Sequence, residues 1–202
     1  MSEINKNTYN LVAKNYEDYH SSRIIWQNEL EEFSKLLLDS PVILDLGCGP
    51  GRETVWLAEN IAESELTGVD FSENMIALAN ENSAQNAAFI VEDITTYIPP
   101  KQVDGIWARG ALHHLTDSEI TSTFNNAATY LKPGAIICTI NKYGDHEEVQ
   151  HDERYGSTVD RYFNLFNEAK IEDIAREHDL DILSQSVRNS DIEWLISFLK
   201  VK

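Results

Sequence analysis

Short apolar runs alternate with helical patterns along most of the chain. The runs are Val42 to Leu46, Leu66 to Val69, Ala88 to Val91, Val103 to Ala108 and Ala135 to Ile140. Their unbroken hydrophobicity predicts strands buried on both faces. Between them, residues 50–61 follow a glycine turn, Ser72 stands as an N-cap before Glu73 to Glu81, and Thr116-Asp117-Ser118-Glu119 has the form of a capping box. The helix behind that box repeats its apolar residues as Ile120, Phe124, Ala127, Ala128 and Leu131, then ends at Lys132-Pro133-Gly134. Repeated strand–helix alternation predicts an α/β fold: a parallel sheet between two helical layers, with ligand sites at the carboxyl ends of the strands. Upstream, Ile24, Ile25, Leu30, Phe33, Leu36, Leu37 and Leu38 predict a helix that Pro41 stops. The tail breaks the rhythm. A polar segment over residues 142–160 reads as a loop, a helix follows near Glu168 to His178, and the runs Ile182 to Val187 and Ile192 to Val201 suit a hairpin. One strand should therefore run antiparallel to the rest.

No repeat or Pro/Gly/Ser-rich linker divides the 202 residues, which are enough for one sizeable core. The expected organisation is one structural domain, with an N-terminal helical cap over residues 1–40 and a ligand-binding domain over residues 41–202. Sixteen basic residues against thirty-four acidic ones give a net charge of −18. Such a field repels phosphate backbones and anionic membranes, so neither nucleic acid nor membrane is expected as a partner. Cys48 and Cys138 lie in apolar stretches without a CxxC pattern, which suits reduced thiols in a cytoplasmic protein. No leader pattern or membrane-length apolar window is present. His146 and His151 match no common metal spacing, so no metal is expected. The patterning carries no signal for an oligomeric state.

The strongest local chemistry is the run from Val42 through Asp45, Gly47, Gly49 and Gly51, a strand entering a tight glycine turn and then a helix. Glycines there permit positive φ and close approach of backbone to ligand, although such a turn also serves as a plain connection. Arg52 occupies the third glycine position of the dinucleotide fingerprint, which disfavours a nicotinamide oxidoreductase. Asp70 closes the second strand, where an acid accepts hydrogen bonds from a ribose diol or, alternatively, caps the next helix. Asp93 ends the third strand and could accept from an exocyclic adenine amine.

In this order and spacing, LDLGCGPG, GVDFSENMI, VEDI, WARGALHHL and LKPGAIICTI resemble the motifs of class I S-adenosylmethionine-dependent methyltransferases, over about residues 40–141. The resemblance implies a three-layer Rossmann-like sandwich with a seven-stranded sheet in the order 3-2-1-4-5-7-6, strand 7 antiparallel. It also implies S-adenosyl-L-methionine as cofactor, with Asp45, Gly47, Gly49 and Gly51 around its methionine part. Asp70 would take the ribose hydroxyls with Phe71 beside the adenine, and Asp93 with Ile94 the adenine edge. Tyr16 and Arg23 occupy cap positions near the cofactor, with Tyr9 one helical repeat earlier and Arg23 placed to pair with the methionine carboxylate. The fourth strand ends in Arg109, where relatives usually have Asn or Ser, and His113-His114 follow. One of these histidines should be a packing residue; His114 is the candidate base or substrate contact. Arg154, Arg161 and Tyr162, in and after the polar segment, are the expected acceptor contacts. Arg109 with one tail arginine would hold an anionic acceptor, unless Glu147, Glu148 or Asp160 already pairs these cations and the acceptor is neutral. The implied function is in-line methyl transfer to a small molecule. Two alternatives stand beside it: methylation of a tRNA wobble-uridine carboxyl, and non-catalytic binding of S-adenosylmethionine.

Overall fold

The computed structural model describes residues 3–20, 26–189 and 192–202. Arg23, expected beside the cofactor, lies outside the described residues. The five apolar runs form Val42–Leu46 (β1), Glu65–Asp70 (β2), Ala87–Val91 (β3), Val103–Arg109 (β4) and Leu131–Lys142 (β5), all mutually parallel. Their side chains alternate between two cores, as pleated strands require. Leu44, Ile106 and Ile137 point into one core, whereas Ile43, Trp107 and Ile136 point into the other. The helices Asp117–Tyr130 (α5) and Glu168–Glu177 (α6) cover the first core with Phe124, Ile120, Ile171 and Ile174. Gln27–Leu36 (α2) and Arg52–Asn60 (α3) cover the second with Leu30, Phe33 and Leu57. Glu73–Glu81 (α4) begins at the expected cap, Ser72 Oγ accepting from Met75 N–H, and the Thr116–Glu119 capping box opens α5.

The tail hairpin forms as Leu180–Arg188 (β8) and Trp194–Val201 (β9), with β9 inserted antiparallel between β5 and β8. The sheet order is β3-β2-β1-β4-β5-β9-β8, the expected topology. Two elements differ from the sequence reading. The polar segment is not a loop: Glu147–Asp152 (β6) and Val159–Asn164 (β7) pair as a separate two-stranded antiparallel sheet. Its strands expose one face and carry charges on it, so they present no apolar run. Among the described residues of 1–40, Glu3–His20 (α1) lies over the carboxyl end of the sheet, whereas α2 buries Leu30 and Phe33 in the sheet core.

Candidate active site

β1 is the strand at which the order reverses, with β2 on one side and β4 on the other, and such a switch point opens a crevice at the strand ends. The turn after β1 carries Gly47, Cys48, Gly49 and Pro50 along the crevice; Asp70 and Phe71 approach from β2, and Arg109, Gly110 and Ala111 from β4. Tyr9 and Tyr16 of α1 close it from above.

The glycine turn is shaped for two different reasons. Gly47, at φ +75°, packs so closely that a Cβ would stand 2.4 Å from that of Ala111. Gly51, at φ +83°, begins α3 and would drive a Cβ to 2.7 Å from the Phe89 ring. Gly49 alone faces open space, with nothing within 4 Å of an added Cβ. Asp70 staples this turn to the next helix. Its Oδ2 accepts from Gly49 N–H and its Oδ1 from Ser72 N–H, both at 2.9 Å. Each oxygen keeps a lone pair for a further donor. Burial pushes the Asp70 carboxyl up to about 6, against those two backbone donors.

Four expected cofactor contacts do not line this crevice. Asp45 is buried beneath it, where its Oδ2 accepts from Thr54 Oγ1 at 2.6 Å and burial pushes its carboxyl up to about 7. Gly51 serves packing. Asp93 folds back on its own chain, its Oδ1 accepting from Thr95 N–H at 2.9 Å and Thr95 Oγ1 at 2.8 Å, and Ile94 is buried in the core beneath α5.

A second cavity, of about 710 Å³, adjoins the crevice and shares Tyr9, Tyr16, Pro50, Arg109 and Gly110 with it. Arg154, Tyr155, Arg161 and Phe163 enter it from the β6–β7 hairpin, Lys142 and Trp194 from β5 and β9. Arg109 stands at the junction. Burial alone would ease its deprotonation, but Glu53, at 2.8 Å from its Nη2, and the Tyr16 hydroxyl outweigh burial and keep it charged. Asp152 pairs with both Arg154 and Arg161, and these contacts hold its carboxyl well below the usual range, the Arg154 hydrogen bond foremost.

Tyr162 is a correction. On a strand, residues 161 and 163 share a face and 162 takes the other, so Arg161 and Phe163 reach the cavity and the Tyr162 side chain does not. Its backbone serves instead: its carbonyl accepts from His114 Nδ1 at 2.8 Å and from Asn5 Nδ2 at 3.1 Å. His113 and His114 are both buried and divide between the two spaces, His114 lining the crevice and His113 the cavity. His113 Nδ1 accepts from Lys142 N–H at 3.1 Å, which makes it the packing partner of the pair. Lys142, Glu53 and Tyr155 were not singled out from the sequence. Only Lys142 carried a signal, as a cation closing the fifth apolar strand at its carboxyl end.

Residues 43–134 match the methyltransferase domain family. The match takes in just under half of the chain. Trans-aconitate 2-methyltransferase of Variovorax paradoxus is 38% identical over 110 residues, 54% of this chain and 41% of that protein. Malonyl-[acyl-carrier protein] O-methyltransferase 2 of Ilyobacter polytropus is 28% identical over 140 residues, 67% of this chain and 52% of that protein. The chain thus spans about half the length of the curated relatives it matches. Among solved structures, magnesium protoporphyrin IX methyltransferase of Synechocystis, with bound S-adenosylhomocysteine, superimposes with a TM-score of 0.75 at 14% identity and covers 98% of both chains. The seven-stranded sheet thus has the Rossmann-like fold of that structure. Among the described residues, no helix is long and apolar enough to cross a membrane.

Proposed function

We propose that the methyltransferase domain binds S-adenosylmethionine in the crevice and directs its methyl group to a small molecule in the adjoining cavity. The observation that carries this reading is the placement of Asp70: a buried carboxylate with free lone pairs, clamping a glycine turn whose Gly49 faces open space, beside the aromatic wall of Phe71. Those groups fit a ribose diol, a backbone-skimming chain and a planar base. The bound cofactor supplies an activated sulfonium methyl, so the chain's work is orientation and exclusion of water. Tyr9 and Tyr16 roof the junction and keep solvent out. Arg109, held by Glu53, fixes the wall at which crevice and cavity meet.

Trans-aconitate and magnesium protoporphyrin IX, named for the relative and the structural neighbour, extend to this chain only the small-molecule class of acceptor. Titration calorimetry with S-adenosylmethionine and S-adenosylhomocysteine tests the reading. Both should bind, and Asp70→Ala should weaken them by about 1.5–3 kcal/mol, the range for hydrogen bonds to a charged group. Unchanged affinity in Asp70→Ala overturns the assignment.

A further inference from the structure

The cavity beside the crevice is cationic in a molecule whose net charge is −18. Among its lining cations are Lys142, Arg154 and Arg161, and one carboxylate behind them, Asp152, forms ion pairs with both arginines. Lys142 Nζ donates to the neutral amide oxygen of Gln150 at 2.7 Å, and Glu148 reaches it only through the other side of that amide. Lys142 and Arg161 are both buried and converge on one ring: Lys142 Nζ lies 3.5 Å from the Phe163 centroid and the Arg161 guanidinium carbon 5.2 Å from it. Arg161 Nε is buried without a hydrogen-bond partner. Two like charges held together out of water cost free energy unless an anion comes between them. That cost is visible in Lys142, which burial, and then Arg161, pull down to about 8.

Resting on the methyltransferase reading, we infer that the acceptor is a small anion whose carboxylate-type oxygens dock between Lys142 and Arg161, its body lying against Phe163 and Tyr155. The phosphonate group presents the same charged oxygens and the same fit. Arg109 does not share this role, since Glu53 pairs with it, whereas Asp152 is divided between Arg154 and Arg161.

The test is calorimetry on the chain saturated with S-adenosylhomocysteine, titrated with carboxylates from acetate to adipate, with their amides and with propylphosphonate. Anions should bind and the amides should not; carboxylate against phosphonate affinity then tells the two sources of charged oxygens apart. Lys142→Met and Arg161→Gln should each weaken anion binding about ten- to a hundredfold while S-adenosylhomocysteine affinity holds. Lys101→Met, on the far surface beside Glu65, should change neither. Lys142→Met removes no ion pair, so it remains informative if loss of the Asp152 contact unfolds the arginine variant. Equal binding of amides and anions, no anion binding at all, or full affinity in Lys142→Met overturns the inference and leaves the methyltransferase reading standing. Failure to bind S-adenosylhomocysteine overturns that reading instead.

Discussion

The protonation of His114 is set by its two neighbours. Nδ1 faces the Tyr162 carbonyl at 2.8 Å and must carry the proton, so Nε2 is left to accept from the Tyr9 hydroxyl, also at 2.8 Å. Burial pulls the ring down to about 3, which keeps it neutral throughout the physiological range. His114 therefore positions Tyr9 at the junction of crevice and cavity rather than exchanging protons near neutrality. Its imidazole resonances in an NMR titration should stay fixed from pH 5 to 8; a midpoint between 6 and 7 would refute this. Asp45 behaves oppositely. Its folded carboxyl lies near 7 because it is buried, against an unfolded value of about 3.9. The folded state binds the proton more tightly, so the stabilisation it brings is complete below about pH 4 and is lost as pH rises through 7. Asp45→Asn keeps an acceptor for Thr54 but has no proton to lose. Denaturant unfolding should show the wild type losing about 1–3 kcal/mol relative to Asp45→Asn between pH 5 and 9. Parallel pH profiles for the two proteins would contradict the burial argument.

At the scale of elements, the glycine turn separates cofactor affinity from stability. Gly51→Ala places a Cβ against Phe89 and Ala79 in left-handed backbone, and should cost about 2–4 kcal/mol of stability. Gly49→Ala meets no protein atom, so it should cost only about 1–2 kcal/mol in stability, while its methyl intrudes on the crevice and weakens S-adenosylhomocysteine binding more than Gly51→Ala does. Thermal unfolding paired with calorimetry checks the ordering, and a reversed ordering would place the ligand elsewhere. The lid α1 is fastened along its first half. Asn5 brackets the Tyr162 backbone, accepting from its N–H at 2.9 Å, Thr8 donates to the Asp160 carbonyl at 2.7 Å, and Asn10 accepts from Ser72 Oγ at 2.8 Å. None of these polar contacts has a periodicity, which is why the residues that fasten α1 were not legible in the sequence. The central strands were legible because burial on both faces leaves no room for polar residues. The β6–β7 hairpin was not, because Glu147 to Asp152 alternate around one wet face.

At the scale of the molecule, the cofactor side was the readable half. Its glycine turn follows β1, and Asp70 and Phe71 follow β2, so they fall in two successive strand–turn–helix units, whereas the cavity is assembled from residues as distant as Tyr9, Lys142 and Arg161, brought together only by tertiary packing. Arg154 and Arg161 could be suspected from the sequence, but their shared partner Asp152 could not. The charge distribution that results is uneven: an acidic exterior around a recessed cationic pocket. This bears on tRNA as an acceptor. A phosphate backbone binds by releasing counterions to a continuous basic surface, and binding strength falls with salt in proportion to the phosphates neutralised. Here the cations cluster in the cavity, several of them paired to Glu53 and Asp152, while the net charge outside repels a polyanion. A small anion can enter such a pocket; a helix of phosphates meets the repulsion of the net charge along its whole length. Filter binding at near-physiological salt should therefore show no micromolar retention of tRNA by the isolated chain, and lowering the salt should not restore it, because weaker screening strengthens the repulsion. Micromolar retention that tightens as salt is lowered would show a basic binding surface, and would move the tRNA reading ahead of the small-molecule one.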